Sequence, residues 1–151
     1  MLGARPKSWG DGIKLSEIRF GTDGWRGIIA EDYTFENVRK CAQGIANYHH
    51  AKGLIDGPIV VGYDTRFGSH EFAIAVVEVL AGNKIPVVLC DRPTPTPVVS
   101  YTLLSLGANG AIIITASHNP AKWNGFKYRG SNGSSPSPTT LSEIQFEIDK
   151  I

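Results

Sequence analysis

Between residues 35 and 115 the chain alternates three times between a segment with helical spacing and a short, almost wholly apolar run. This alternation constrains the fold more than any other feature. A short apolar run has no polar face to offer water, so it has to be covered on both sides. Phe35, Val38, Cys41, Ala42, Ile45 and Tyr48 recur at three- and four-residue steps. They predict a helix from Phe35 to about His50, with Thr34 as N-cap and Gly53 as stop. Pro58 to Asp64 then reads as a buried strand. Phe72, Ala73, Val76, Val77 and Leu80 predict a helix over 69–80 closed by Gly82, and Ile85 to Cys90 a second buried strand. Thr94-Pro95-Thr96-Pro97 opens a third helix that runs to Leu106 and stops at Gly107. Ala111 to Thr115 is a third buried strand, and Phe126-Lys127-Tyr128 a short further one. Gly130 to Thr140, rich in Gly, Ser and Pro, reads as a loop. Leu141, Ile144 and Ile148 give a last helix that reaches Ile151 without a capping residue, as expected at a domain edge. The predicted class is α/β: a layered sheet of mostly buried strands with helices on both faces.

The N-terminal part is read differently. Residues 1–17 are expected to be a flexible lead-in, polar and glycine-rich, with no hydrophobic core of a signal peptide. Gly21, Gly24 and Gly27 punctuate "FGTDGWRG". This stretch reads either as a hairpin between Ile18-Arg19-Phe20 and Ile28-Ile29-Ala30 or as a tight glycine-rich loop. The net charge of +1, with no Lys/Arg cluster, speaks against a nucleic-acid partner. No apolar run approaches the roughly 20 residues that span a bilayer. Cys41 and Cys90 have no CxxC spacing and read as two reduced thiols, so the expected location is cytoplasmic.

Ligands of open α/β sheets collect at the carboxyl ends of the strands. Four polar stretches fall at or near such ends: Thr22 to Gly27, Asp64-Thr65-Arg66, Arg92-Pro93-Thr94 and Thr115 to Pro120. Within the last, "TASHNP", Ser117 taken alone is a turn residue whose hydroxyl caps a neighbouring N–H. The GxSxG elbow of a serine hydrolase is absent. Phosphoryl chemistry suits the surroundings better. A phosphorylated serine adds about 2 negative charges and needs cations, N–H donors and a close backbone around it. Arg26, Lys127 and the Gly125 turn are the candidates. There is no GxxxxGK[ST], no GxGxxG after a strand and no HExxH, and the adjacent His49 and His50 point to different helix faces.

"FGTDGWRG" at 20–27, "GYDTR" at 62–66, "TASHNP" at 115–120 and "NGFK" at 124–127 occur in that order. Together they resemble the first domain of the α-D-phosphohexomutases, the phosphoglucomutase/phosphomannomutase group, over residues 18–151. The resemblance implies that Ser117 is a phosphoserine. It would exchange its phosphoryl group between the 1- and 6-positions of a hexose phosphate through a bisphosphorylated sugar such as glucose 1,6-bisphosphate. It implies Lys127 in general acid/base work, Arg26 supporting transfer, and His118 binding substrate or the transferring group. Thr22, Thr115, Asn119, Asp64 and Arg66 fall at substrate- or phosphate-binding positions, the last two as near-site support. Mg²⁺ would be bound through the phosphoryl group on Ser117. The family completes that metal site with an aspartate-rich loop, and its cleft with three further domains; none of their motifs occurs in this sequence. Little or no turnover is therefore expected of the chain alone. The partners implied are hexose phosphates and the remaining domains of the same enzyme. The other reading of the residues is a non-catalytic α/β domain that binds phosphate or protein, with Ser117 as a structural turn residue.

Overall fold

The computed structural model describes residues 17–151, so nearly all of the expected lead-in lies outside the described residues. The elements are β1 (Trp25–Ile28), α1 (Phe35–Lys52), β2 (Ile59–Tyr63), α2 (Ser69–Gly82), β3 (Val87–Leu89), α3 (Thr96–Leu106), β4 (Gly110–Ile114), β5 (Trp123–Gly130) and α4 (Pro138–Asp149). Five strands form one sheet in the order β1-β5-β4-β2-β3. β3, β2 and β4 run parallel, as helical crossovers require, whereas β5 is antiparallel to both β4 and β1.

Strand alternation divides the core into two. Ile59, Val61, Ile112, Ile114, Phe126 and Tyr128 pack against α1, α2 and α4 on one face. Val60, Ala111 and Ile113 pack against Val99 and Leu103 of α3 on the other. The expected α/β layering with helices on both faces is what forms. The helix punctuation is equally direct. Thr34 Oγ1 accepts from the Asn37 N–H, and Gly53 and Gly107 close α1 and α3 at φ 69° and 61°.

Five expectations change. The last helix, α4, begins at Pro138, inside the expected Gly130–Thr140 loop, because Ser137 caps it by accepting from the Thr140 N–H, and it ends at Asp149. Ile85 to Cys90 was predicted as a buried strand, but β3 covers only Val87–Leu89 and is half-buried, because it is a sheet edge with β2 as its single neighbour. β5 extends over eight residues where three were predicted. α2 runs through Gly82 and stops at Asn83. The hairpin does not form. Ile18 to Phe20 is fastened to α4 instead, by Gln145, whose amide donates to the Ile18 carbonyl and accepts from the Phe20 N–H. The glycine-rich loop is the alternative realised, and β1 takes β5 as its partner.

One buried polar pair gives the fold a pH dependence. His49 lies between the Leu54 carbonyl, 3.0 Å from Nδ1, and the Tyr128 hydroxyl, 2.9 Å from Nε2. A carbonyl only accepts, so Nδ1 carries the proton and Nε2 accepts from Tyr128. Burial holds the His49 pKa below its ordinary value of 6.5, outweighing the Leu54 hydrogen bond. The unfolded chain therefore takes up a proton first as pH falls. The stability associated with neutral His49 is present above about pH 6.5 and is lost as pH falls toward the depressed folded-state value. The melting temperature is expected to fall from pH 7.5 to 5.5 more steeply in the native chain than in His49→Gln; equal slopes would contradict this.

Candidate active site

β2 and β4 both end at one edge of the sheet, and β5 begins there, so their polar extensions converge. Beyond Ile114, Thr115 still donates its N–H to the Gly125 carbonyl at 2.9 Å. The chain then turns. Thr115 Oγ1 accepts from the Ser117 N–H at 3.0 Å, and the Asn119 N–H donates to the Ala116 carbonyl at 3.1 Å. Ser117 is exposed and left-handed, with φ 56°. That region costs a residue with a Cβ about 1–2 kcal/mol, so the surroundings have to hold the turn.

Arg66 does much of the holding. Its Nη1 donates to the carbonyls of Pro120 (2.9 Å) and Trp123 (3.1 Å), and its Nη2 to those of Ser117 (2.9 Å) and Asn119 (2.7 Å). Nε donates to Asp64 Oδ2 at 3.2 Å. All five guanidinium protons are thereby engaged. The Arg66 guanidinium, expected as near-site support, is thus spent on the carbonyls of the Ser117 loop and on Asp64. Asp64 is likewise occupied, since Oδ1 accepts from the Arg66 N–H (3.0 Å) and the Ser69 hydroxyl (2.7 Å).

The cations lie on the α3 side of β1 and β5. Arg26 pairs in register with Gly125, and Lys127 is two residues along the same strand. Arg26 donates to Asn119 Oδ1, in Ser117's own turn, and to Asp23 Oδ2. Lys127, 6% exposed, places Nζ 3.0 Å from Asp23 Oδ1. One carboxylate thus bridges two cations. Partial burial pushes the Asp23 carboxyl up, but the hydrogen bond and charge of Lys127, with Arg26 and Arg129, outweigh it and hold the group below its ordinary value. Gly125 is required at this crossing, because a Cβ there would stand 2.4 Å from the Thr115 carbonyl oxygen. Tyr33, fully buried, donates its hydroxyl to the Gly125 carbonyl at 2.8 Å.

Of the residues expected from sequence, Ser117, Thr115, Asn119, Arg26, Asp64 and Arg66 are joined by this network, and Lys127 enters it through Asp23. His118 is exposed on the same turn. Thr22 is exposed in the two-residue turn closed by Gly21 and Gly24, next to Asp23. Sequence reasoning missed Asp23, Ser69 and Asn124. Asp23 did carry a signal, an acid three residues before Arg26 in the same glycine turn.

Among the described residues no three His, Cys, Asp or Glu side chains come together as a metal site. The nearby acids Asp23 and Asp64 are committed to Arg26, Lys127, Arg66 and Ser69. Mg²⁺ on a Ser117 phosphoryl group would therefore need its remaining ligands from outside the described residues. Among those residues no helix is long and apolar enough to cross a membrane.

Residues 17–151 match the family described as phosphoglucomutase/phosphomannomutase, alpha/beta/alpha domain I. A phosphoglucomutase of Staphylococcus epidermidis is 38% identical over 138 residues, covering 89% of this chain and 25% of its own length. One from Staphylococcus aureus is 40% identical over 133 residues, covering 85% and 24%. Among solved structures, a Thermus thermophilus protein assigned as a phosphomannomutase superposes with a TM-score of 0.84 at 36% identity, over 89% of this chain and 30% of that one. The chain spans about a quarter of the length of the curated relatives it matches. It belongs to the phosphoglucomutase/phosphomannomutase family, of which it is the α/β/α domain I.

Proposed function

We propose that Ser117 is the phosphoryl carrier of a phosphohexomutase, that residues 18–151 form its first domain, and that the remaining domains of the enzyme complete the cleft. The observation that supports this best is the placing of Arg26. It bonds to Asn119 within the Ser117 turn and shares Asp23 with the buried Lys127. Phosphoryl transfer is mostly positioning and charge neutralisation, and an exposed serine whose turn is tied to Arg26, with Lys127 linked to that arginine through Asp23, suits it.

In one half of the cycle the bond from phosphorus to Ser117 Oγ breaks and a bond to a hexose phosphate hydroxyl oxygen forms. The Lys127 ammonium gives its proton from Nζ to the leaving Ser117 Oγ and regains one from the attacking hydroxyl, so that the serine hydroxyl is restored and the sugar oxygen carries the phosphoryl group. The bisphosphorylated sugar then reorients, and its other phosphoryl group returns to Ser117 as the proton is given back. Arg26 balances charge on the phosphoryl oxygens throughout. His118 and Thr22, exposed at the rim, are the residues offered to substrate, and Thr115 and Asn119 fix the turn. The exposed apolar residues Val98, Tyr101, Leu104 and Leu106 of α3 support a neighbouring domain as partner. The free thiols of Cys41 and Cys90 support a cytoplasmic location.

The expected result for the 151-residue chain alone is no conversion of glucose 1-phosphate to glucose 6-phosphate, even with glucose 1,6-bisphosphate and Mg²⁺. The same domain within a protein of the relatives' length should turn over. Conversion by the chain alone would overturn the dependence on further domains. Inactivity of both proteins would favour the binding-domain reading.

A further inference from the structure

Behind the Arg66 clamp lies a line of polar side chains that the proposed chemistry does not use. Asn124, on β5, and Ser69, which opens α2, are both fully buried. Asn124 Nδ2 donates to Ser69 Oγ at 2.9 Å, and Ser69 Oγ donates to Asp64 Oδ1 at 2.7 Å. Asn124 Oδ1 accepts the Gly125 N–H at 2.8 Å.

These bonds have one possible direction. Arg66 only donates, so Asp64 accepts from it; Asp64 accepts from Ser69 as well, so the single hydroxyl proton of Ser69 is committed. Ser69 Oγ must then be an acceptor on its other side, which only the amide end of Asn124 can serve. The line therefore runs from the backbone of β5 beside Arg26, through two buried side chains, to the carboxylate that orients Arg66. It ends on the four carbonyls of the Ser117 loop. A side chain nine-tenths buried with every polar atom matched is costly to leave half-satisfied, so a change at Asn124 is transmitted along the line.

We propose that Asn124 and Ser69 are positioning residues for Ser117: through Asp64 and Arg66 they fix the serine turn relative to the strand that carries Lys127 and pairs with Arg26. The catalytic part of this proposal rests on the phosphoryl-carrier reading, but its structural part is tested without turnover. Asn124→Asp keeps the volume and replaces the one donor by an oxygen that competes with Asp64 for the Ser69 proton. Ser69→Ala removes the link, and Ser69→Thr retains a hydroxyl.

In ¹⁵N NMR of the 151-residue chain, the Arg66 Nε and Nη protons should be visible and slow to exchange. In Asn124→Asp and in Ser69→Ala those signals should be lost to exchange, and the Ser117 and Asn119 amides should shift, while strand amides in β2 and β4 keep their positions. Ser69→Thr should restore the signals. In a protein of the relatives' length, kcat should fall about 10- to 100-fold with KM within about twofold, as expected of a misplaced reacting group. Unchanged Arg66 signals and an unchanged Ser117 amide in both Asn124→Asp and Ser69→Ala would overturn the proposal. If the signals respond but turnover survives Ser117→Ala, the line stands and the carrier reading falls. If Ser117→Ala abolishes turnover while the signals do not respond, the reverse holds.

Discussion

Ser117→Ala, in a protein of the relatives' length, is expected to lower hexose-phosphate mutase turnover by about 10⁴-fold or more, the scale seen when a covalent nucleophile is removed. The fold should be almost untouched. Ser117 is exposed, its N–H bond to Thr115 Oγ1 and its carbonyl bond to Arg66 are made by backbone atoms, and its hydroxyl is not needed by the core. A melting temperature within a degree or two of the native value, together with lost turnover, separates carrier from scaffold. If Ser117 were only a turn residue, alanine would cost little turnover. Lys127→Ala should be milder, about 10²- to 10⁴-fold, as for a proton-transfer group.

Gly24→Ala should have the largest effect on the fold itself. Gly24 has φ 88°, and a Cβ there would stand 2.2 Å from the Phe126 carbonyl oxygen and 3.0 Å from Lys127 Cα. Neither neighbour is the flexible end of a side chain. Both belong to the backbone of β5, a strand hydrogen-bonded on its two sides. The clash and the left-handed backbone add, for an expected loss of about 3 kcal/mol or more, a fall in melting temperature of ~10 °C. The same displacement would pull Asp23 from Lys127 and Arg26, so residual folded protein should also be catalytically impaired. Thermal unfolding followed by circular dichroism checks it. A loss below about 1 kcal/mol would show that this turn can move away from β5.

The layers were legible in the sequence because short all-apolar strands and capped amphipathic helices leave few alternatives. Thr34, Gly53 and Gly107 act where their chemistry predicts. β5 was under-read for an equally physical reason. Asn124, Phe126 and Tyr128 face the α1 side, while Gly125, Lys127 and Arg129 face the side that carries the cations, so the apolar run is interrupted. A strand that serves a site does not look like a core strand. Ser117, Arg26 and Lys127 could be picked out from their motifs. Asp23 could not be assigned its role, because an acid in a glycine turn ordinarily just favours the turn. Its two cationic partners meet only when β1 pairs with β5, about a hundred residues away. Ser69 and Asn124 were hidden for the same reason. Their polarity becomes meaningful only once burial leaves each with a single partner on either side.

The carrier claim is met most directly by locating phosphate on the protein. A protein of the relatives' length, purified after turnover with glucose 1,6-bisphosphate and Mg²⁺, is to be measured by intact mass and by peptide mapping. The expected result is one phosphoryl group per chain, mapped to Ser117, lost on incubation with excess hexose monophosphate and never acquired by Ser117→Ala. A protein that turns over while the Ser117 peptide remains unmodified, or that carries its exchangeable phosphate on another residue, would contradict it.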